Sequence, residues 1–128
     1  MLEEQLKRYW FFRFLGAFSI RKNSRSVIES FAYASTLLEN PNNLVLLFPQ
    51  GEIQPACIER IKFERGIELL KLNRESAIQL VFGYAHTEYG SNPKPAVHFF
   101  IRPTNENTVS EMERTYNLFR RECIGQLP

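Results

Sequence analysis

Leu44-Val-Leu-Leu-Phe-Pro-Gln-Gly-Glu52 is the stretch whose reading decides the fold. Leu44 to Phe48 form an apolar run of strand length, bounded by Pro41-Asn42-Asn43 before it and Gly51 after it. A run of this kind suits a central parallel strand covered on both faces. Ligands of open α/β sheets gather outside the carboxyl ends of such strands. The predicted site is therefore the turn Phe48-Pro49-Gln50-Gly51-Glu52, the alternative being an ordinary strand-to-loop turn.

Upstream, Ser26-Val-Ile-Glu29 has the form of a capping box, and Val27, Phe31, Ala34 and Leu38 follow at helical spacing up to Asn40-Pro41. Before that, residues 2–15 read as a helix dense in aromatics, with Tyr9, Trp10, Phe11, Phe12 and Phe14 interleaved with Lys7, Arg8 and Arg13. Such a helix can lie at a membrane surface or pack into a core. Gly16 breaks it, and Ala17 to Arg21 can form a short strand delivering Arg21 to its end. There the guanidinium, with Lys22 and Arg25 beside a helix start, makes either an anion site or a solvated basic turn.

Downstream, Phe63, Ile67 and Leu70 give helical spacing within 62–72, with Gly66 inside at a cost of about 1 kcal/mol unless close packing requires it. Ile78 to Tyr84 is a second buried-strand candidate, and Ala96 to Ile101 a third. Thr108-Val-Ser-Glu111 offers another capping box. Val109, Met112, Tyr116, Phe119 and Cys123 share one face of the last helix. Strands alternating with amphipathic helices predict a layered α/β sheet in one domain spanning residues 1–128.

The 128 residues are enough to bury a core. A hydrophobic fraction of 44% with 23% charged residues fits a globular chain. A net charge of +2 gives no general field for nucleic acid, yet residues 1–25 carry six cations against two glutamates. No apolar run reaches the roughly 18 residues of a membrane span. Cys57 and Cys123 fit neither a disulfide framework nor a metal site and suggest a reducing compartment.

All 14 acidic residues are glutamates, so no aspartate orients a histidine. A Gly-x-Ser-x-Gly elbow and a phosphate-binding glycine loop are also missing from the sequence. His98 reads as a structural or surface residue of an alternating strand. His86 stands near Glu88 and is either a loop histidine or a base with a carboxylate orienter. Two separated histidines with no ligand cluster predict no metal site.

Several segments together resemble the lysophospholipid acyltransferase family, which includes the 1-acyl-glycerol-3-phosphate acyltransferases. Tyr9 to Gly16 looks like the family's aromatic helix leading into its second motif, and Phe18-Ser-Ile-Arg21 looks like that motif. Leu47-Phe-Pro-Gln-Gly-Glu52 looks like the third motif, usually Phe-Pro-Glu-Gly-Thr. Phe63-Glu-Arg-Gly66 is similar to the Phe-Lys-x-Gly helix start, and Ile78 to Tyr84 to the fourth apolar block. The resemblance runs from about residue 5 to residue 103 and rests on the common order and spacing of these motifs.

The resemblance implies a layered, largely parallel sheet flanked by helices, incomplete at its N-terminus. It implies transfer of a fatty acyl group from a CoA or acyl-carrier-protein thioester to a lyso-lipid hydroxyl, with no resident cofactor. Arg21 and Phe48, Pro49, Gln50, Gly51 and Glu52 become the substrate-binding residues. The family's base is the histidine of a His-x-x-x-x-Asp motif, which this chain lacks: Ser91 stands five positions after His86, and Pro103 five after His98.

The expectation is thus a truncated acyltransferase, cytoplasmic and peripheral to a membrane reached through helix 2–15. An apolar seam would be exposed where missing layers pack, with self-association possible there. The alternatives are a non-catalytic module that binds a lipid surface or a partner, and an unrelated α/β domain. Glu52 in the third motif disfavours a doubly charged phosphate nearby and favours an acceptor whose phosphate is masked or absent.

Overall fold

The computed structural model describes residues 7–17, 25–55, 57–72, 78–90 and 94–127. They form two compact units, Met1–Ala56 with Lys62–Ala77, and Cys57–Ile61 with Ile78–Pro128.

In the first unit a 3₁₀ helix spans Trp10–Leu15. The sequence predicts one helix over 2–15, of which residues 2–6 lie outside the described residues. Consecutive bulky rings lose side-chain freedom against the preceding turn, which lowers α-helical preference. Gly16 ends the segment at φ +79, a conformation that favours glycine. Helix α1, Arg25–Leu38, follows, so Ser26 stands inside the helix rather than at its cap. Its predicted apolar face is real: Phe31 and Ala34 are buried, with Val27 and Leu38 half-buried.

The second 3₁₀ helix, Arg65–Leu72, replaces the α-helix predicted over 62–72. It packs on α1. A Cβ added at Gly66 would come 3.1 Å from Phe31 Cε2, so the glycine lets the Phe31 ring lie against the backbone of the 3₁₀ helix. Close packing accounts for the residue that helix propensity disfavours.

The second unit is a β-hairpin with one helix. Strands β1, Leu80–Glu88, and β2, Ala96–Thr104, pair antiparallel from Leu80 opposite Thr104 to Glu88 opposite Ala96. Helix α2, Val109–Gly125, begins at the predicted capping box. The Glu111 N–H donates to Thr108 Oγ1 at 3.2 Å, and the Thr108 N–H donates to Glu111 Oε2 at 3.3 Å. Phe82 of β1 and Val109, Met112, Phe119 and Cys123 of α2 form the core. The Phe82 ring meets Tyr116 edge-on at 5.3 Å and stacks with Phe119 at 6.3 Å.

One buried polar residue ties an irregular segment to this core. Asn117 Oδ1 accepts the Ile61 N–H at 2.8 Å, and Asn117 Nδ2 donates to the Ile61 and Glu113 carbonyls at 2.8 and 2.7 Å. Its side chain thereby supplies the donor and acceptor that a neighbouring strand would offer Ile61. Arg60 adds an ion pair to Glu113 at 2.8 Å.

The predicted layered, largely parallel sheet is overturned. The sheet of the described residues has two antiparallel strands. Only residues 89–95 separate β1 from β2, whereas a parallel crossover needs a dozen residues or more. Residues 44–48 join no ladder among the described residues, and Leu44 and Leu46 are 89% and 74% exposed rather than covered on both faces. Strand Ile78 to Tyr84 is likewise one-sided, with Phe82 buried and Val81 exposed.

Candidate functional site

The predicted site turn is built in the first unit. Pro49 fixes its own φ, and the Gly51 N–H donates to the Phe48 carbonyl at 3.2 Å, closing a tight turn. Gly51 has φ +67, the left-handed conformation that the last residue of such a turn takes most readily as glycine. The Glu64 N–H donates to the Pro49 carbonyl at 2.8 Å, which joins the turn to Phe63-Glu-Arg-Gly66. Two short motifs a dozen or so residues apart thus meet as one backbone unit, with α1 behind it through Phe31 and Gly66.

Around this turn Phe48 is 69% exposed, Pro49, Gln50 and Gly51 are half-buried, and Glu52 is exposed. Gln54 Nε2 donates to Glu52 Oε1 at 3.3 Å, holding the carboxylate beside the turn. The arrangement offers an exposed ring, a glycine that leaves backbone accessible and one negative charge. A carboxylate there disfavours a doubly charged anion nearby. Arg21 lies outside the described residues.

The histidines fall in the hairpin, on the face that carries Phe82. His86 and His98 are directly opposite in register. His86 Nδ1 lies 3.0 Å from Tyr84 Oη, while Glu88 Oε2 lies 3.1 Å from His98 Nε2. The carboxylate that sequence proximity offers to His86 therefore sits on His98, because antiparallel pairing brings position 98 diagonally across from 88. The strand pattern reads His98 as a structural or surface residue, and the structure gives it the carboxylate. At roughly one-third exposure on both partners, the pair orients an imidazole but adds little stability.

Burial pushes the Tyr116 phenol above its ordinary pKa, partly opposed by Arg120. Its hydroxyl donates to the Gly83 carbonyl at 3.1 Å. Burial likewise raises the Cys123 thiol, which is 2% exposed, whereas Cys57 is exposed. Among the described residues no three histidine, cysteine or acidic side chains converge to hold a metal ion, and no helix is long and apolar enough to cross a membrane.

Large apolar side chains are exposed in both units. On the hairpin face away from Phe82, Val81, Val97, Phe99 and Ile101 are 45% to 76% exposed. The Trp10–Leu15 segment adds Trp10, Phe11 and Phe14. No protein-family model, no curated protein and no solved structure matches this chain.

Proposed function

We propose that this chain provides the acceptor-binding part of a fatty-acyl transferase acting on lyso-lipids at the cytoplasmic face of a membrane, to which it attaches peripherally. The observation that carries this reading is the bond from the Glu64 N–H to the Pro49 carbonyl. It joins the two segments that resemble the family's third motif and its Phe-Lys-x-Gly helix start. The exposed apolar hairpin face also supports the reading, since a contiguous apolar surface marks a place where a lipid or a partner binds.

In the reaction, the lyso-lipid hydroxyl oxygen attacks the thioester carbonyl. A C–O ester bond forms, the C–S bond breaks, and the hydroxyl proton leaves to a base while the thiolate takes up a proton. The role of the turn is to hold the acceptor: Phe48 against its chain, the Gln50 and Gly51 region against its head, and Glu52 against a second phosphate charge. The base belongs to a His-x-x-x-x-Asp segment that these 128 residues do not contain.

That last fact favours one other reading, a non-catalytic module that binds lyso-lipid on the same surface. Mass spectrometry of acyl transfer from a long-chain acyl-CoA to a panel of lyso-lipids separates the two. It is run with this chain and with an extended chain that adds any coding sequence found in frame upstream of Met1. Transfer only by the extended chain, lowered by Gly51→Val, is the expected result. Lyso-lipid binding without transfer by either form favours the module. Neither binding nor transfer overturns both, and a clear preference for lysophosphatidic acid overturns the masked-phosphate acceptor.

A further inference from the structure

We infer that the Tyr9–Phe14 segment is the part of this chain that docks on a bilayer, and that it selects anionic lipid. The inference rests on the peripheral attachment proposed above and names the element and the lipid charge. Trp10 is 64% exposed and Phe14 81%, with Tyr9 and Phe11 beside them at 42% and 47%. Within this chain the rings are not packed into a core. Trp10 and Phe14 meet edge-on at 5.7 Å, and Phe11 stacks on the half-buried Phe12 at 4.6 Å. The rings are held as a set.

Within the segment itself the charge has one sign. Residues 7–17 include Lys7, Arg8 and Arg13 and no acidic residue. The Arg8 guanidinium lies 5.6 Å from the Tyr9 ring centre, so a cation sits at the edge of the aromatic set. Three residues per turn bring positions 11 and 14 onto one line of the helix. Amphipathic rings at headgroup depth with cations on anionic lipid are the chemistry of an interfacial anchor. A six-residue 3₁₀ helix is roughly 12 Å long. It offers less than the roughly 800 Å² a side of a standard protein interface, and a bilayer sets no such minimum. The hairpin's apolar face differs in kind: Val81, Val97, Phe99 and Ile101 stand on it with no cation among positions 81, 83, 85, 87, 97, 99, 101 and 103.

Trp10 is the only tryptophan, so its fluorescence reports this segment alone. The full chain is titrated with vesicles of phosphatidylcholine containing about one-quarter phosphatidylserine, and with vesicles of phosphatidylcholine alone. The expected result is a blue shift of Trp10 emission and co-sedimentation with the anionic vesicles. Each cation near an anionic surface contributes about a factor of five, so the Lys7→Gln, Arg8→Gln double variant binds roughly 25-fold more weakly. Phe14→Ser weakens binding by at least roughly tenfold. An unshifted Trp10 overturns the inference, even where the chain sediments, because another surface is then bound. Equal binding to neutral vesicles, or full binding by the double variant, overturns the selection for charge. Acyl transfer to detergent-solubilised lyso-lipid is independent of docking: transfer by the extended chain without vesicle binding refutes only this inference, and vesicle binding without transfer by either form refutes only the enzymatic reading.

Discussion

Asn117→Ala removes three hydrogen bonds whose worth follows from where each one ends. The Glu113 carbonyl sits one turn back in α2 and keeps its ladder donor, so losing Asn117 Nδ2 costs it little. The Ile61 N–H and C=O are different. Both use Asn117 as partner at 2.8 Å, in a half-buried segment that belongs to neither strand nor helix. Leaving a buried backbone group unsatisfied costs about 1–3 kcal/mol, and partial exposure places these two near the lower end. Asn117→Ala should therefore destabilise the hairpin–helix unit by about 2–3 kcal/mol, a large share of the 5–15 kcal/mol typical of a domain.

The assay is a urea titration followed by far-ultraviolet circular dichroism, with residue-resolved amide exchange beside it. The midpoint should fall, and the Ile61 amide should lose protection well before the amides of Met112 and Phe119. Asn117→Asp keeps the acceptor and loses the donors, so it should restore Ile61 protection but not the whole midpoint. A stability change below about 0.5 kcal/mol with Ile61 protection intact would refute the reasoning.

Gly66→Ala tests the contact between α1 and the second 3₁₀ helix. Helix propensity alone predicts a gain of about 1 kcal/mol, whereas the Cβ would stand 3.1 Å from Phe31 and overpacking costs about 1–3 kcal/mol. Thermal melts should show net destabilisation that Phe31→Leu relieves in a double-mutant cycle; a plain gain would mean the ring yields freely. Tyr116 has a folded pKa above its ordinary value of 10.0, so its contribution is complete below that value and is lost as pH rises through the folded pKa. Chemical denaturation across the alkaline range should show wild-type stability falling more steeply than that of Tyr116→Phe, which starts about 1 kcal/mol lower for want of the bond to Gly83; parallel curves would refute this.

What the sequence revealed divides by range. Helix α2 was legible because its signals are local: the box at Thr108 and Glu111, then apolar positions recurring every three or four residues. The same holds for the Phe31–Ala34 face of α1. Strand direction was not legible from apolarity, because Ile78 to Tyr84 reads the same whichever neighbour it has. The short link over 89–95 carried that information and pointed to a hairpin. Asn117 escaped notice because a polar residue between Tyr116 and Phe119 looks like the helix's wet side. Only the distant Ile61 makes it structural. Gly66 was flagged as a cost with a condition, and the Phe31 ring supplies the condition. At the site, the turn at Gly51 was readable from Pro-x-Gly, but its bond to Glu64 was not, since nothing local links those positions. The partner of Glu88 was not legible for the same reason: proximity in sequence offers His86 only as one alternative, and pairing across the hairpin brings His98.

The two cysteines give the second unit a chemical clock. Cys57 is open to solvent, while Cys123 lies in the core with its thiol held protonated by burial. A maleimide added to the native chain will modify Cys57 at once, and Cys123 only as fast as α2 lifts from Phe82 and exposes a thiolate. Counting labels per molecule over time by intact mass therefore reads the opening of the hairpin–helix core under native conditions, as an equilibrium where reclosing outpaces labelling and as a rate at maleimide high enough to reverse that order. No introduced probe is needed, and the prompt first label serves as the internal zero of the clock.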